Sequence, residues 1–558
     1  MGFFKYNIMS TENRTFGQLL GSFKGNFWVA SFMELMERWA WYGVFTLFAL
    51  YLVGSTDDGG LGFNHIQKGN IMSDITGILY LLPIFTGVIA DRIGYKLSLS
   101  IAYVILIIGY YMMGTVNTYW SMYFIFLFVA IGAAMFKPVA SGIVARSTEK
   151  SNSTLGFGIF YMMVNVGGFI GPASSSYLRT TFGWKLIFIQ AAVVIGINLL
   201  ILLIFYKEPK REEQNKDGLG KAIVDALHKI WEAVKDTRLS VLLLLMVGFW
   251  TMFNQLFYTL PNFIADWVDS SVISNWINQN LPFLAKTMTE DGQVKAEWFT
   301  NIDAGMIVIL QIAVSYFVIK MRHVSAMIRG FIIAAIGIGL TFYTNNVMYT
   351  ILGTVIFAIG EMTTNPTFSS FIALISPKGK EALYQGTYFL PVAAGNFLTK
   401  FISGNLYQKW SDKLSLLQNE MSTRNIDMPD VVTKEQFIEQ TSSQLNMPIS
   451  DFEKAFHLKN NNLDWSAIQQ SVQDYATQHG ISLTNLNMPF SKNEYFALAE
   501  QKLNMGHWEM TRMLWDNYHP NKLWYVIVGI GVFTIIALSL YDRMVIKPRE
   551  KKEAELAA

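Results

Sequence analysis

The chain has 558 residues, of which 52% are hydrophobic and 15% are charged, and its mean hydropathy is +0.30. Soluble proteins carry roughly a quarter charged residues, so this composition excludes a set of soluble domains and a disordered chain. The formal net charge of +2 gives no basic field that would attract nucleic acid. Because cysteine is absent, disulfides, thiolate metal sites and cysteine nucleophiles are excluded. The composition predicts a polytopic membrane protein.

Membrane-spanning helices need about 20 mostly apolar residues each. Twelve stretches meet this requirement, and we refer to them in order as spans 1 to 12: 26–53, 69–90, 97–115, 119–145, 155–178, 184–206, 240–266, 299–320, 327–345, 348–375, 383–407 and 522–546. The first span is too long for a cleaved signal peptide and carries three charged residues in its middle. We therefore expect an all-α polytopic membrane protein that begins with span 1.

The distribution of lysine and arginine predicts the orientation. The segment 207–239 between spans 6 and 7 holds eight of these cations, whereas the opposite loop 54–68 has only Lys68. Cytoplasmic loops carry an excess of lysine and arginine, so both termini and the segment 207–239 are expected in the cytoplasm. The short loops and small size favour a bacterial inner (plasma) membrane.

Two segments are not predicted to cross the membrane. The basic connector 207–239 has apolar residues at helical spacing over Leu219–Val234, which fits either an amphipathic helix on the membrane surface or a linker packed on the cytoplasmic face. The segment 409–521 is polar and has three capping-box patterns, which begin at Thr433, Ser450 and Ser491. We expect it to form a small helical extracytoplasmic insert whose modest core uses five aromatic residues: Phe452, Phe456, Trp465, Tyr495 and Phe496.

The resulting layout is six spans, a connector and six spans. It divides the chain into an N-terminal six-helix bundle (1–206), the connector (207–239), spans 7 to 11 (240–408), the insert (409–521), and span 12 with a basic tail (522–558). Such a two-bundle layout is typical of transporters, which bind substrate between the halves near the membrane midplane. The insert's histidines lack metal-ligand spacing, so we expect no metal and no cofactor apart from protons as a coupling ion.

Charges inside the membrane are costly and usually functional. Span 1 holds Glu34, Glu37 and Arg38. Glu34 and Arg38 are four residues apart, which favours an ion pair, whereas Glu37 is expected to point about 100° away from Arg38. Tyr42 lies one turn beyond Arg38. This cluster is a candidate site for proton coupling and substrate binding.

Spans 4 and 10 each hold a deep charge beside a proline. Lys137 precedes Pro138, has no acid within a turn on its own helix, and therefore needs a partner from another helix or from substrate. Pro138 cannot donate to residue 134, so a carbonyl is freed nearby. In span 10, Glu361 is followed by Pro366, and a broken helix beside a buried acid is typical of a transporter ligand site.

These deep charges comprise three acids and two bases and sum to −1. Uptake of one proton would neutralise them, and buried carboxylates hold protons more readily than exposed ones, so we hypothesise proton coupling. Asp74, Asp303 and Lys400 are left out of this sum because they lie nearer the predicted outer ends. Four uncharged polar residues in the spans could bind substrate or bridge helices: Tyr80, Asn165, Asn254 and Gln255.

Four segments carry motifs that resemble the proton-dependent oligopeptide transporter family of the major facilitator superfamily. They are the span 1 sequence from Glu34 to Tyr42, the loop from Gly87 to Lys96 with Asp91 and Arg92, the Phe136-Lys137-Pro138 sequence of span 4, and the span 5 sequence from Phe160 to Pro172 with Asn165. The second half has weaker similarity around Gln255 and Glu361. The insert 409–521 lies outside the resemblance.

The resemblance implies a major facilitator fold of two six-helix bundles that imports di- and tripeptides with protons by alternating access. It implies that Glu34, Glu37 and Arg38 form the proton-linked cluster. It also implies that Arg38 and Lys137 attract the peptide carboxylate, that Glu361 and Asn165 hold the amino group, and that Tyr42 and Tyr80 line the site. Asp91 and Arg92 would act as gating residues. The partners would be a small peptide and the bilayer, without nucleic acid, and the protein would be a monomer.

Three departures from the family pattern leave an alternative open. Trp41 replaces the first tyrosine of the span 1 motif, Phe45 replaces a frequent arginine, and Asn254 replaces a glutamate that usually precedes Gln255. The alternative is a carrier for a modified amino-acid-like or amphiphilic solute, with altered or no proton coupling. A membrane-embedded enzyme is disfavoured because the sequence has no metal-binding or nucleophile motif. A receptor-like role with the insert as sensor is disfavoured to the same degree.

Overall fold

The computed structural model describes residues 20–148, 153–208, 218–318, 320–376, 384, 386–458, 463–484 and 486–557. The connector's cations between residues 209 and 217 lie outside these ranges. The N-terminal half consists of α1 (Gly25–Val53), α2 (His65–Leu81), α3 (Pro83–Ile93), α4 (Tyr95–Met113), α5 (Tyr119–Ser147), α6 (Ser153–Phe182) and α7 (Lys185–Phe205). These helices correspond to spans 1 to 6, since α2 and α3 together form span 2.

The connector carries one amphipathic helix, α8 (Leu219–Val234), at the bounds predicted from the sequence. Val224, Leu227 and Trp231 lie on one face of α8 and are exposed. An exposed apolar stripe beside lysines on the other face is typical of a helix that lies on a membrane surface. This favours the first of the two alternatives for the connector.

The C-terminal half begins with a span in three pieces and continues through five further spans. Its helices are α9 (Thr237–Phe253), α10 (Gln255–Tyr258), α11 (Leu260–Trp267), α12 (Ser271–Asn280), α13 (Pro282–Met288), α14 (Ala296–Val318), α15 (His323–Tyr343), α16 (Val347–Ile375), α17 (Phe389–Lys400), α18 (Tyr407–Trp410), α25 (Leu523–Tyr541) and α26 (Lys547–Ala557). Between α13 and α14, strands β1 (Thr289–Glu290) and β2 (Gln293–Val294) pair antiparallel. Nothing in the sequence pattern predicted α12, α13 and this hairpin.

Within the described residues, nine helices are long and apolar enough to cross a membrane, or ten when the bent pair α2 and α3 counts as one span. The pair bends by 46° where Pro83 begins α3. Span 1 is not among these helices because its charged residues lower its mean hydropathy. Span 11 is not among them because α17 is short and passes into a π-helical turn at Phe401–Leu406. The structure is nearly all helical, as predicted.

The insert contains α19 (Lys413–Thr423), α20 (Lys434–Gln444), α21 (Ile449–Ala455), α22 (Trp465–Gln478), α23 (Lys492–Leu503) and α24 (His507–Tyr518). Thr433 and Ser491 form the expected capping boxes at α20 and α23. The third predicted capping box is wrong: α21 begins at Ile449, so Ser450 lies inside the helix instead of capping it. Pro448, with its fixed φ, occupies the cap position and moves the helix start.

The insert does not have the single core that the sequence suggested. Phe452, Phe456 and Trp465 pack in a separate cluster with Phe437 and Val472. In contrast, buried residues of α19, α23 and α24 belong to the hydrophobic core of the C-terminal half, together with Trp267 and Phe342; they include Leu416, Leu417, Tyr495, Ala499, Met510 and Leu514. Half of the insert is therefore an extension of the C-terminal bundle.

Contacts between the two halves concentrate at the end that carries the insert, which we call the insert end. The Lys68 ammonium donates to the Tyr258 carbonyl at 2.9 Å and to Asn262 Oδ1 at 3.0 Å. Lys400 of span 11 pairs with Asp74 of span 2 at 2.7 Å. These bonds join span 2 to spans 7 and 11.

Candidate substrate cavity

The charged cluster of span 1 is buried and internally paired. Arg38 Nε donates to Glu37 Oε2 at 2.5 Å and lies 3.5 Å from Glu34 Oε1. Glu37 is fully buried and Arg38 is 7% exposed. The expectation that Glu37 points away from Arg38 is therefore wrong, because both side chains are long enough to meet around the helix. The two acids share one guanidinium, so the cluster carries one net negative charge when both are ionised.

Lys137 lies on aromatic rings. Its ammonium sits 4.8 Å from the centre of the Tyr80 ring and 5.8 Å from that of Phe389, which belong to opposite halves. In the described part of the chain, no carboxylate lies within 4.0 Å of it. Cation–π contacts are weaker than an ion pair and leave the charge available to a ligand.

The carbonyl that Pro138 frees has a partner. Thr86 of span 2 donates its hydroxyl hydrogen to the Ala134 carbonyl at 2.8 Å. This confirms that the proline opens the backbone ladder four residues upstream, and it fixes span 4 against span 2 at the level of Lys137.

Glu361 belongs to a buried group of polar side chains in the C-terminal half. It is 7% exposed and its Oε2 atom has no hydrogen-bond partner in the described residues. One turn on, Asn365 accepts a hydrogen bond from the Tyr388 hydroxyl of span 11. Asp303 of span 8 is 4% exposed, and its carboxyl group interacts electrostatically with that of Glu361. The sequence had placed Asp303 nearer the end of its span.

These groups line one cavity of about 350 Å³ between the two halves. Its charged lining residues are Glu34, Arg38, Lys137, Asp303 and Glu361. The first three come from the N-terminal half and the last two from the C-terminal half, so both cations, together with Glu34, lie on the wall opposite Asp303 and Glu361. With Glu37, which is buried beside Arg38, the set comprises four acids and two bases.

The uncharged candidates divide into two groups. Tyr42, Tyr80, Asn165 and Asn254 line the cavity. Asn254 stands at the break between α9 and α10 and donates to Thr399 Oγ1 at 3.2 Å. Gln255 is not among the lining residues: it is fully buried, donates to the Thr251 carbonyl at 2.8 Å and accepts from the Thr259 hydroxyl at 2.6 Å.

Comparison with known proteins finds similarity to transporters. A model of the Major Facilitator Superfamily matches residues 27–277. A peptide transporter of Yersinia enterocolitica is 21% identical over 471 residues, which cover 69% of this chain and 88% of that transporter. Dipeptide and tripeptide permease A of Erwinia pyrifoliae is 26% identical over 263 residues, which cover 44% of this chain and 49% of the permease.

A likeness in fold completes the comparison. The crystal structure of a POT family transporter in complex with 5-aminolevulinic acid has a TM-score of 0.56 at 20% identity, covering 72% of this chain and 93% of that one. The chain is similar to the proton-dependent oligopeptide transporter family of the major facilitator superfamily in its relatives and in its fold. It is a multi-pass membrane transporter and not an enzyme.

The loop motif of this transporter contacts the connector. Arg92 donates to the Gly218 carbonyl at 3.2 Å, and Asp91 accepts from the Tyr95 hydroxyl at 3.4 Å. The carboxylate of Glu208 accepts from the backbone nitrogens of Tyr95 and Lys96, at 2.7 and 2.8 Å. The predicted gating residues thus tie spans 2 and 3 to the connector.

Lys68 is a buried cation that the sequence analysis had placed in the loop 54–68. Asn64 and Gln67 form a capping box, so α2 begins at His65 and carries Lys68 in its first turn. The Asn64-x-x-Gln67 pattern was a usable sequence signal for this start. Lys68 is fully buried, whereas the sequence analysis treated it as a loop residue.

A second ionic cluster lies at the insert end. Ligand atoms of His65, Asp266 and Asp412 lie within 4.8 Å of one another, a spacing that would suit a metal ion. However, Lys68 and Lys413 also interact electrostatically with Asp266, and two ammonium groups disfavour a divalent cation there. His65 Nε2 lies 3.4 Å from Asp412 Oδ1, and Asp412 Oδ2 accepts hydrogen bonds from Gln408 and Ser415. Although burial opposes it, these contacts hold the pKa of Asp412 below its usual range. The cluster is better described as an ionic contact between span 2 and the insert.

Proposed function

We propose that this transporter imports di- and tripeptides, or similar small zwitterions, together with protons by alternating access. The observation that carries the proposal is the cavity between the halves, with Arg38 and Lys137 on one wall and Glu361 on the other. A zwitterionic peptide needs cations for its carboxylate and an acid for its amino group, and this arrangement supplies both. The named activities of the related peptide transporter and permease support the same class of substrate.

Each lining residue has a role in this proposal. Lys137 attracts the peptide carboxylate, since its ammonium has aromatic rings and no carboxylate partner close to it. Arg38 assists and is held in place by Glu34 and Glu37. Asn165 lies across the cavity from Glu361 and orients the amino group. Tyr42 and Tyr80 supply amphipathic walls that tolerate different side chains.

Proton coupling follows from the charge balance of the cavity. Three acids and two bases line the cavity, and a fourth acid, Glu37, is buried beside Arg38, so the charges of the empty cavity balance only after proton uptake. Glu34 and Glu37 compete for one guanidinium, and protonation of either would loosen the cluster around Arg38. We assign coupling to Glu34, Glu37, Arg38 and Glu361, with protons as the coupling ion.

The setting is a bacterial inner membrane with both termini in the cytoplasm. This orientation follows from the lysine and arginine residues of the connector and puts the insert on the outer side. The bonds of Lys68 and Lys400 then hold the outer ends of the halves together. Asp91 and Arg92 regulate the opposite, cytoplasmic end.

Uptake into proteoliposomes tests the proposal. The purified protein is reconstituted, an inside-alkaline pH gradient is imposed, and accumulation of labelled di- and tripeptides is measured. Accumulation should require the gradient and disappear when an ionophore collapses it. Absence of gradient-driven uptake for every peptide of the panel would contradict the proposal. Retained accumulation in both Glu34→Gln and Glu37→Gln would remove these acids from coupling.

A second candidate substrate is an amino-acid-like amphiphile. The aromatic wall favours it: Phe45 stacks on Trp41 at 5.2 Å between ring centres and meets Tyr258 edge-on at 5.6 Å. The related transporter crystallised with 5-aminolevulinic acid shows that the fold can hold such a molecule. Competition of amino acids bearing aromatic or acyl groups against a labelled dipeptide distinguishes the two candidates.

A further inference from the structure

Two buried carboxyl groups meet in the C-terminal half of the cavity. Asp303 projects from α14 and Glu361 from α16, and these neighbouring helices pack along their length. Both side chains line the cavity, both are more than nine-tenths buried, and their carboxyl groups are close enough to interact electrostatically. Asp303 Oδ1 and Glu361 Oε2 have no hydrogen-bond partner in the described residues.

The surroundings of this pair contain no neutralising cation. Across the described chain, no lysine, arginine or histidine nitrogen lies within 4.0 Å of either carboxyl. The titratable groups that face the pair are the neutral phenols of Tyr42, Tyr161 and Tyr388. The cations of the opposite wall have other contacts: Arg38 is paired with its two glutamates, and the Lys137 ammonium lies on the rings of Tyr80 and Phe389.

Two carboxylates in contact inside a protein cannot both remain ionised without a cation, so such pairs bind one proton between them. The shared proton converts repulsion into a hydrogen bond from the protonated carboxyl to the ionised one. Deprotonation needs water at the pair, and opening of the cavity supplies it. A peptide ammonium is compatible with the shared proton, because the singly protonated pair keeps one negative charge that the ammonium neutralises.

We propose that Asp303 and Glu361 form a proton-sharing pair that is the proton site of the C-terminal half, so that Asp303 belongs to the coupling machinery. The proton enters from water on the insert side, occupies an oxygen of the pair while the halves enclose the substrate, and leaves to water on the connector side. Glu361 thereby combines recognition of the amino group with proton binding. The inference deepens the proposed function and rests on it.

Asp303→Asn tests the pair, because asparagine keeps a hydrogen-bond donor towards Glu361 but cannot titrate. In proteoliposomes, this variant should exchange labelled for unlabelled peptide within about threefold of the wild-type rate. Gradient-driven accumulation should fall by about tenfold for each pH unit of gradient, since each coupled proton contributes that factor. Peptide affinity should also lose its pH dependence, which a merely structural residue would not change.

Asp225→Asn is the matched control, since Asp225 is an exposed acid on α8, outside the cavity. It should accumulate peptide as the wild type does. An Asp303→Asn variant with wild-type accumulation and a wild-type pH profile overturns the inference.

Infrared difference spectroscopy detects the proton shared by Asp303 and Glu361 without a transport assay. The wild type should show a protonated-carboxyl band that titrates and shifts on peptide binding, and Asp303→Asn and Glu361→Gln should each remove it. If Asp303→Asn elutes as aggregate on size exclusion, Glu361→Gln alone decides the spectroscopic result. An unchanged band refutes the pair. Absence of gradient-driven uptake by the wild type would instead refute the coupling in the proposed function, even where the infrared titration still demonstrates the proton site.

Discussion

Spans 1 and 5 approach so closely that a single methyl group should weaken the fold. A Cβ atom at Gly171 would lie 2.6 Å from the Trp39 carbonyl oxygen and 2.7 Å from the Gly43 backbone nitrogen. Heavy atoms in good contact are about 3.5 Å apart, so Gly171→Ala requires the two helix backbones to separate by roughly 0.9 Å. Overpacking of this kind costs about 1–3 kcal/mol, because backbone atoms cannot rotate away as a side chain could.

Gly158 offers the matched control on the same helix. A Cβ atom there would meet nothing within 4 Å, so Gly158→Ala should stabilise α6 by about 0.5–1 kcal/mol through reduced backbone entropy. Both variants gain this helix-propensity term, and their difference isolates the clash. We expect Gly171→Ala to unfold at a lower temperature than Gly158→Ala when the detergent-solubilised protein is heated and the folded fraction is measured by size exclusion. Equal unfolding temperatures would refute the close-packing argument.

Three further predictions concern single side chains. Lys137→Ala should weaken binding of peptides with a free carboxylate by about 10- to 100-fold, as expected for a lost charged contact. Binding of methyl-ester analogues should be unchanged. If a binding titration shows the same loss of affinity for both kinds of peptide, Lys137 is a gating residue. Burial lowers the pKa of Lys413 to about 8 from 10.5, so between these pH values the folded state binds fewer protons than the unfolded state, and the free energy of unfolding should rise with pH. Lys413→Met should flatten that rise in chemical unfolding curves. Thr433→Ala should destabilise α20 by about 1 kcal/mol in hydrogen exchange, whereas Ser450→Ala, inside α21, should not destabilise α21 through a lost cap.

Much of the fold follows from local sequence. Long apolar stretches must be helical in a bilayer because every backbone polar group has to bond within its own segment, which is why all twelve predicted spans coincide with helices for their described residues. The effect of Pro138 was equally local, since the loss of one backbone donor fixes which carbonyl is freed. The partner of that carbonyl, Thr86, came from another helix and could not be derived from span 4 alone.

The composition of the cavity was only partly predictable. Lys137 and Glu361 stood out because they lie deep within apolar sequence. Asp303 did not, because α14 begins at Ala296 rather than 299 and the cavity extends towards that end of the helix. Gln255 looked like a lining residue, but the turn at Asn254 directs its amide into hydrogen bonds with Thr251 and Thr259. The direction of a side chain around a membrane helix depends on neighbouring helices, which short motifs do not encode.

The insert belongs to the C-terminal half by sequence but is bound to both halves. Ser491 donates to Asp57, and Asn493 Nδ2 donates to Asp58 Oδ2 at 2.9 Å, so the cap and first turn of α23 hold the loop between spans 1 and 2. On another side, Asn117 Nδ2 donates to Glu435 Oε1 at 3.1 Å. Separation of the halves at this end must therefore break these bonds or carry part of the insert with the N-terminal half. If the halves separate as the proposed alternating access requires, the insert is a tether between them, and the rate of the proposed cycle would depend on the folding of residues outside the substrate cavity.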